Sequence, residues 1–179
     1  MLSHDDYTIG WISALPLELA AAKVVLDKVH PKLSQPGHDR NSYTFGEIRG
    51  HNIILTYLPY GVYGTNAAGA VAEQMLSTVP SIRFGLMVGI GGGVPSPSAD
   101  IRLGDVVVSK PTGTLPGVVQ YDYGKTILSG KVERTGVLNK PPPILLKALS
   151  DLVSDHWVGR ARFHVLVPVL PQLITEGIY

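Results

Sequence analysis

The sequence of 179 residues contains no cysteine, and only 16% of its side chains are charged. Without cysteine, the chain has no disulfide bonds, no thiolate nucleophile and no thiolate-ligated zinc or iron–sulfur site. The 15 basic and 14 acidic residues leave a formal net charge of +1, which does not favour electrostatic binding to nucleic acid. Apolar residues make up 45% of the chain, too many for intrinsic disorder. We therefore expect one domain with a real core, located inside the cell and in the cytoplasm.

Long hydrophobic segments are also lacking. The N-terminus, MLSHDD, has neither the basic start nor the apolar run of a secretory signal. The most apolar late stretch, residues 165–174, contains Pro168 and Pro171 and is shorter than the roughly 20 residues of a membrane helix. The six histidines show no ligand spacing on a common helix face. The sequence thus predicts no membrane association and no metal site.

What is present is an alternation of strand and helix signals. Residues 7–15 are a short apolar run typical of a strand buried on both faces. Pro16 suits the first turn of a helix, which we expect to reach about Val29. Further predicted elements are a hairpin of residues 42–49 and 52–58 joined at Gly50-His51, a helix after residue 65, strands at 84–90 and 105–109, and a helix at 144–157. This order predicts a three-layer α/β domain.

A run of glycines follows the strand predicted at residues 84–90. Four of the residues 89–93 are glycine, yet Val94 stands where a dinucleotide-binding fingerprint requires its third glycine. Such a run loses considerable conformational entropy on folding. Close approach of a ligand to bare backbone would account for it, because ligands bind at the carboxyl ends of strands in open α/β sheets. A strand that leaves the sheet through a tight, crowded bend is the alternative, and the spacing does not separate the two.

Glu18 lies in the first turn of the first predicted helix, just beyond the end of the first strand. It is predicted to lie at the same sheet edge as the glycine run, where a carboxylate can act as a general base. An acidic residue in a first turn also stabilises the helix dipole without any catalytic role. Both interpretations are open at this level.

Four segments taken together resemble the nucleoside phosphorylase and nucleosidase superfamily. They are residues 9–18 (IGWISALPLE), 61–68 (GVYGTNAA), 88–94 (VGIGGGV) and 104–109 (GDVVVS). Each is weak alone, but their order and spacing are specific. Residues 117–125 (GVVQYDYGK) are similar to the fungal branch of purine nucleoside phosphorylase domains, which often form the N-terminal part of larger proteins.

The resemblance implies a three-layer α/β/α sandwich around a mixed sheet that cleaves the N-glycosidic bond of a purine nucleoside. Glu18 falls on the water-activating glutamate of the nucleosidases. The implied substrate-binding positions are Ala14 and Leu15 near the ribose and base, Gly91 and Gly92 beneath the purine, and Ile90, where nucleosidases carry a hydroxyl residue. No cofactor is implied. Hydrolysis is favoured over phosphorolysis, with phosphate kept as an alternative co-substrate, because the first strand is not followed by a phosphorylase-type phosphate loop.

The resemblance fades toward the C-terminus. The later family motifs, which grip the ribose diol and assist the leaving purine, are not recognisable here. We therefore predict a partial family domain over residues 1–157, a divergent tail over 158–179, and little or no turnover from this chain alone. A truncated domain would leave a sheet edge open and favour homo-oligomers. A nucleoside-sensing or oligomerisation module of a larger protein and an incomplete gene model are the alternatives.

Overall fold

The structure, a computed structural model, describes residues 2–94, 101–120, 124–126, 132–133 and 135–160. The chain divides after Gly92 into two compact units. The first unit contains the main sheet and its two helices. The predicted tail lies outside the described residues from residue 161 onward, so its boundary at residue 157 stays a prediction.

The first unit is built on a mixed five-stranded sheet with the order β2-β3-β4-β1-β5. The central strand β1 runs parallel to both of its neighbours, β4 and β5, whereas β2, β3 and β4 are antiparallel. The strands are β1 (Ile9–Ser13), β2 (Lys28–Val29), β3 (Thr44–Ile48), β4 (His51–Tyr57) and β5 (Phe84–Met87). The helices are α1 (Pro16–Val24) and α2 (Thr65–Thr78), preceded by a short 3-10 helix, His4–Asp6.

Each face of this sheet is covered by one helix. Neighbouring residues of a strand point to opposite faces, so an uninterrupted apolar strand supplies both sides of a core. On one face Ile9 of β1 packs in a buried cluster with Ala22 of α1. On the other face Ile12 packs with Val71 and Met75 of α2. The predicted three-layer α/β arrangement with a mixed sheet is therefore confirmed.

The predicted hairpin is formed by β3 and β4, but its turn lies one residue earlier than expected. Arg49 (φ 50°) and Gly50 (φ 83°) are the turn residues, and His51 already pairs with Ile48. Two positive φ values in a two-residue loop match the turn that follows the twist of the strands. The Asp27 carboxylate accepts the Arg49 N–H at 2.6 Å, which holds the non-glycine residue in this conformation.

The strand predicted at residues 84–90 ends already at Met87. Two further sequence predictions are wrong. The first helix ends at Val24 rather than Val29, because Lys28 and Val29 leave it to pair with Glu47 and Gly46 as strand β2. Residues 105–109 form no strand. Their valines are β-branched, but a strand needs a paired neighbour, and within the described residues none pairs with them; Val106 is 88% exposed.

The second unit contains β6 (Lys125–Thr126), which pairs with β7 (Val132–Glu133), and the helix α3 (Pro143–Trp157). The helix predicted at residues 144–157 is thus confirmed. It begins at Pro143, which suits the first turn of a helix. No residue of α3 is buried.

The connection that precedes β3 is fastened to α2 by the buried carboxylate of Asp39. This side chain is 8% exposed. Its Oδ2 accepts hydrogen bonds from the Tyr43 hydroxyl at 2.7 Å and from the Thr78 hydroxyl, and its Oδ1 accepts the Asn41 N–H at 2.9 Å. The Asn41 amide in turn donates to the carbonyl of Val71 at 2.8 Å. A buried carboxylate with this many donors is stabilised as the anion.

Acid should weaken this link. Burial raises the pKa of Asp39, but the hydrogen bonds from Thr78, Tyr43 and Asn41 outweigh it and hold the pKa below its ordinary value. Because the folded pKa is the lower one, the stabilisation is complete above the unfolded pKa of about 3.9 and is lost as the pH falls through the folded pKa.

We expect Asp39→Asn to lower the free energy of unfolding by about 1–3 kcal/mol at pH 7, because the amide nitrogen cannot accept these hydrogen bonds. The difference from the wild type should shrink as the pH falls below about 4. Urea unfolding measured from pH 7 to pH 3 checks this. Asp5→Asn is the control, since Asp5 is exposed. A constant difference across the pH range would show that Asp39 is not the titrating group.

Candidate functional site

Three strands of the first unit end at one edge of the sheet. Because β1 is parallel to both β4 and β5, the carboxyl ends of all three strands lie together. The segment after β1 enters α1 on one face, and the segment after β4 enters α2 on the other. Two neighbouring parallel strands whose connections diverge in this way open a crevice at the edge, and such crevices bind ligands in α/β proteins.

The carboxylate of Glu18 lies at this edge and joins two of the segments. Its Oε2 accepts the backbone N–H groups of Ala14 at 2.7 Å and of Leu15 at 2.9 Å. Its Oε1 accepts the backbone N–H of Ile90 at 2.8 Å. The same side chain therefore holds the segment after β1 and the glycine run after β5.

The local sequence explains why Glu18 turns back toward the strand. Pro16 is the first residue of α1, which makes Leu15 the N-cap residue. Leucine has no side-chain acceptor for the free N–H groups of a helix start. A glutamate at the third helical position can reach back to the N-cap N–H, and Glu18 occupies that position.

The contacts of Glu18 leave part of its carboxylate unused. An ionised carboxylate offers about four acceptor positions on its two oxygens. Two on Oε2 and one on Oε1 are taken by backbone N–H groups. No other donor from the described residues is bonded to Oε1, so in this part of the chain one acceptor position is left for a water molecule or a ligand hydroxyl.

The glycines that continue from Ile90 are not required by the fold of the described residues. A methyl group added at Gly91 or Gly92 would meet nothing within 4 Å, and neither residue has a left-handed φ. Both are exposed. The crowded-bend interpretation therefore does not apply to these two residues.

The predicted site residues fall into two groups. Hydrogen bonds connect Ala14, Leu15 and Ile90 to Glu18, while Gly91 and Gly92 lie in the same segment without such a contact. The side chain of Ile90 is 67% exposed. The structure thus shows the segment after β1 and the glycine run close to Glu18, as predicted. The binding and catalytic roles of these residues stay predictions.

Further residues at this edge were not predicted as part of a site. The segment between β4 and α2 carries Tyr60 and Tyr63, which are 86% and 54% exposed. The last residue of β1, Ser13, is fully buried, and its hydroxyl has no hydrogen-bond partner within the described residues. Buried hydroxyls are normally paired with protein or water. The sequence gives no signal that would have identified them, because tyrosines in a turn-rich segment and a single serine in a strand are common in proteins of every function.

Neither a metal nor a membrane is indicated by the described residues. Among them no three histidine, aspartate or glutamate side chains are grouped closely enough to hold an ion. In the same part of the chain, no helix is both long and apolar enough to cross a bilayer.

The fold is that of the nucleosidases. The 5′-methylthioadenosine/S-adenosylhomocysteine nucleosidase of Neisseria meningitidis, solved with methylthio-immucillin-A, superposes with a TM-score of 0.52 at 19% sequence identity. The match covers 83% of this chain and 58% of that chain. For the Campylobacter jejuni enzyme of the same name the TM-score is 0.47 at 16% identity, and the match covers 83% and 59% of the two chains. The match with the Neisseria meningitidis structure confirms the predicted fold class.

In sequence, the chain is similar to part of a longer protein. A nucleotide-binding leucine-rich repeat (NLR)-like protein of Hyaloscypha variabilis is 48% identical over 160 residues, which are 89% of this chain and 16% of that protein. No protein-family model matches the chain. This chain thus corresponds to a small part of that relative's length.

The hydrogen bonds of Glu18 predict a contribution to stability. We expect Glu18→Ala to lower the free energy of unfolding by about 1–2 kcal/mol, since the variant leaves the N-cap of α1 without its acceptor. Chemical denaturation of the purified protein measures this. Glu73→Ala is the matched control, because Glu73 is an exposed glutamate within α2. Equal losses in the two variants would mean that the carboxylate contributes nothing beyond an ordinary surface charge.

Proposed function

We propose that this chain supplies the base-carrying part of a site that cleaves the N-glycosidic bond of purine nucleosides, with Glu18 as the general base. The observation that carries the proposal is the setting of the Glu18 carboxylate. Three backbone N–H groups orient it at the carboxyl ends of the parallel strands, where α/β proteins bind ligands, and the described residues leave one acceptor position unused. A carboxylate that is fixed but not saturated can hold a water molecule and take its proton.

The proposed reaction is a hydrolysis. A water molecule donates a hydrogen bond to Oε1 of Glu18, and its oxygen forms a bond to C1′ of the ribose as the bond from C1′ to the purine breaks. The bonding pair leaves with the purine, and the proton of the water passes to Glu18. The purine takes up a proton from a donor or from solvent, so that the products are a free base and a free sugar. Phosphate is the alternative nucleophile, and no cofactor is needed.

The glycine run supports a nucleoside as the ligand. Gly91 and Gly92 leave backbone uncovered beside the segment that Glu18 holds, and nothing in the described residues accounts for the missing side chains. A planar purine can approach such backbone closely. In this proposal Ala14 and Leu15 lie near the ribose and base. Ile90 contributes its N–H to Glu18 but no hydroxyl to the substrate.

Turnover by this chain alone is expected to be slow. Breaking the glycosidic bond requires stabilisation of the leaving purine and a grip on the ribose hydroxyls, in addition to the base. We assign neither of these two supports to a described residue. The proposal is therefore that the chain binds purine nucleosides and that any cleavage depends on Glu18.

A nucleoside-sensing module is the second candidate. The relative from Hyaloscypha variabilis supports it, because its name describes an NLR-like protein and this chain matches only 16% of its length. In a module of that kind the same edge would bind the nucleoside without cleaving it. Glu18 would then serve only to order the binding segments.

Purine release and nucleoside binding, measured together, test both candidates. Methylthioadenosine, adenosine and inosine are incubated with the protein, with and without phosphate, while calorimetry measures their affinities. We expect micromolar to millimolar binding of at least one nucleoside and slow release of its base. Release should fall about 100-fold or more in Glu18→Gln, the size of a typical general-base contribution, and be unchanged in Glu73→Gln.

Each outcome separates the candidates. Release that requires Glu18 supports the nucleosidase, and dependence of release on phosphate identifies a phosphorylase. Binding without any release supports the sensor. Absence of both binding and release contradicts the proposed function, and release that persists in Glu18→Gln contradicts the role of the base.

A further inference from the structure

Gly89 lies immediately before the residue whose N–H bonds to Glu18. A Cβ atom at position 89 would lie 2.5 Å from Oε1, 2.9 Å from Cδ and 3.2 Å from Oε2 of Glu18. The first two distances are shorter than real contacts of a Cβ atom. The carboxylate therefore occupies the volume that any other residue at position 89 would fill with its side chain.

The backbone gives no other reason for glycine at this position. The φ angle of Gly89 is not in the left-handed region, so an L-residue could adopt its conformation. The three atoms nearest to the missing Cβ all belong to the Glu18 side chain. The closest conflict of an alanine at position 89 would thus be with the carboxylate.

We propose that Gly89 is a positioning residue, whose missing side chain allows the Glu18 carboxylate to reach the Ile90 N–H and so fixes the orientation of the proposed base. This inference rests on the proposed function for its catalytic consequence, but the positioning itself is a statement about geometry. With alanine at position 89, the end of the Glu18 side chain is the part that can move. It then gives up the hydrogen bond to Ile90, while the strand β5 keeps its pairing with β1.

The stability of the fold and the orientation of Glu18 should respond differently to substitution of Gly89. The Gly89→Ala variant should have nearly the same melting temperature as the Gly85→Ala variant. Gly85 is the matched control because it lies in β5, only four residues before Gly89, has no left-handed φ, and has nothing within 4 Å of an added Cβ. Both variants add one methyl group to a glycine of the segment from β5 to the glycine run. Only the first of them meets Glu18.

Amide hydrogen exchange of Ile90 is the direct measurement. The residue is exposed, and the hydrogen bond to Glu18 is the one that the structure records for its N–H. We expect its exchange to become about tenfold faster or more in Gly89→Ala and in Glu18→Ala, and to be unchanged in Gly85→Ala. Nucleoside affinity or purine release should fall about 10-fold to 100-fold in Gly89→Ala, the size of effect that a shift of about 1 Å has on a positioned group.

A double-mutant cycle shows whether Gly89 acts through Glu18. In the Glu18→Ala background the carboxylate is gone, so adding Gly89→Ala should change neither the exchange of Ile90 nor the affinity further. A purely structural role of Gly89 would persist in that background.

The outcomes distinguish this inference from the proposed function. If Ile90 exchanges at the wild-type rate in Gly89→Ala, or if the two substitutions are additive, the positioning role is wrong. If the wild-type protein neither binds nor cleaves any nucleoside, the proposed function fails, while the exchange of Ile90 still decides the role of Gly89.

Discussion

The central strand β1 is the constraint on which the rest of this unit depends. It is buried on both faces and pairs in parallel with β4 on one side and β5 on the other. Parallel pairing places the ends of three strands at one edge, and the apolar side chains of β1 supply both layers of the core. The edge at which Glu18 lies is therefore a direct consequence of how β1 is paired. A short strand such as Ile9–Ser13 can do this because nearly every residue in it is apolar or small.

Glu18 shows how a local rule and a long-range contact combine at one side chain. Its bonds to Ala14 and Leu15 belong to the start of α1 and follow from the proline and leucine that precede it. Its bond to Ile90 joins segments that are far apart in the sequence. The carboxylate consequently contributes to helix stability and to the shape of the edge together, and a loss of function in its variants has to be separated from a loss of stability. This is why glutamine, which keeps an acceptor, and alanine, which does not, are informative as a pair.

The sequence predicts those features of the fold that depend on residues close together in the chain. The β1 strand, the hairpin and the start of α1 follow from apolar runs, glycine and proline, and the position of Glu18 follows from the start of α1. The end of α1 could not be predicted, because Lys28 and Val29 are drawn into pairing with β3. At the valines 106–108 the opposite occurs. Their strand propensity predicts a strand, but none of the described residues pairs with them, so no strand forms. The sequence predicts that Glu18 and the glycine run lie at the same sheet edge, but the hydrogen bond from the Ile90 N–H could not be predicted, since it depends on the register between β1 and β5.

All three donors to Glu18 are backbone N–H groups, and a backbone donor is present whatever side chain the residue carries. Substitutions at positions 14, 15 and 90 can therefore accumulate without removing the hydrogen bonds that orient the carboxylate, provided that proline is avoided there. Ile90 illustrates this, since it holds Glu18 through its N–H while presenting an apolar side chain. The orientation of the acidic group thus depends on the backbone and the chemistry of the surrounding surface on the side chains, so the two can change independently.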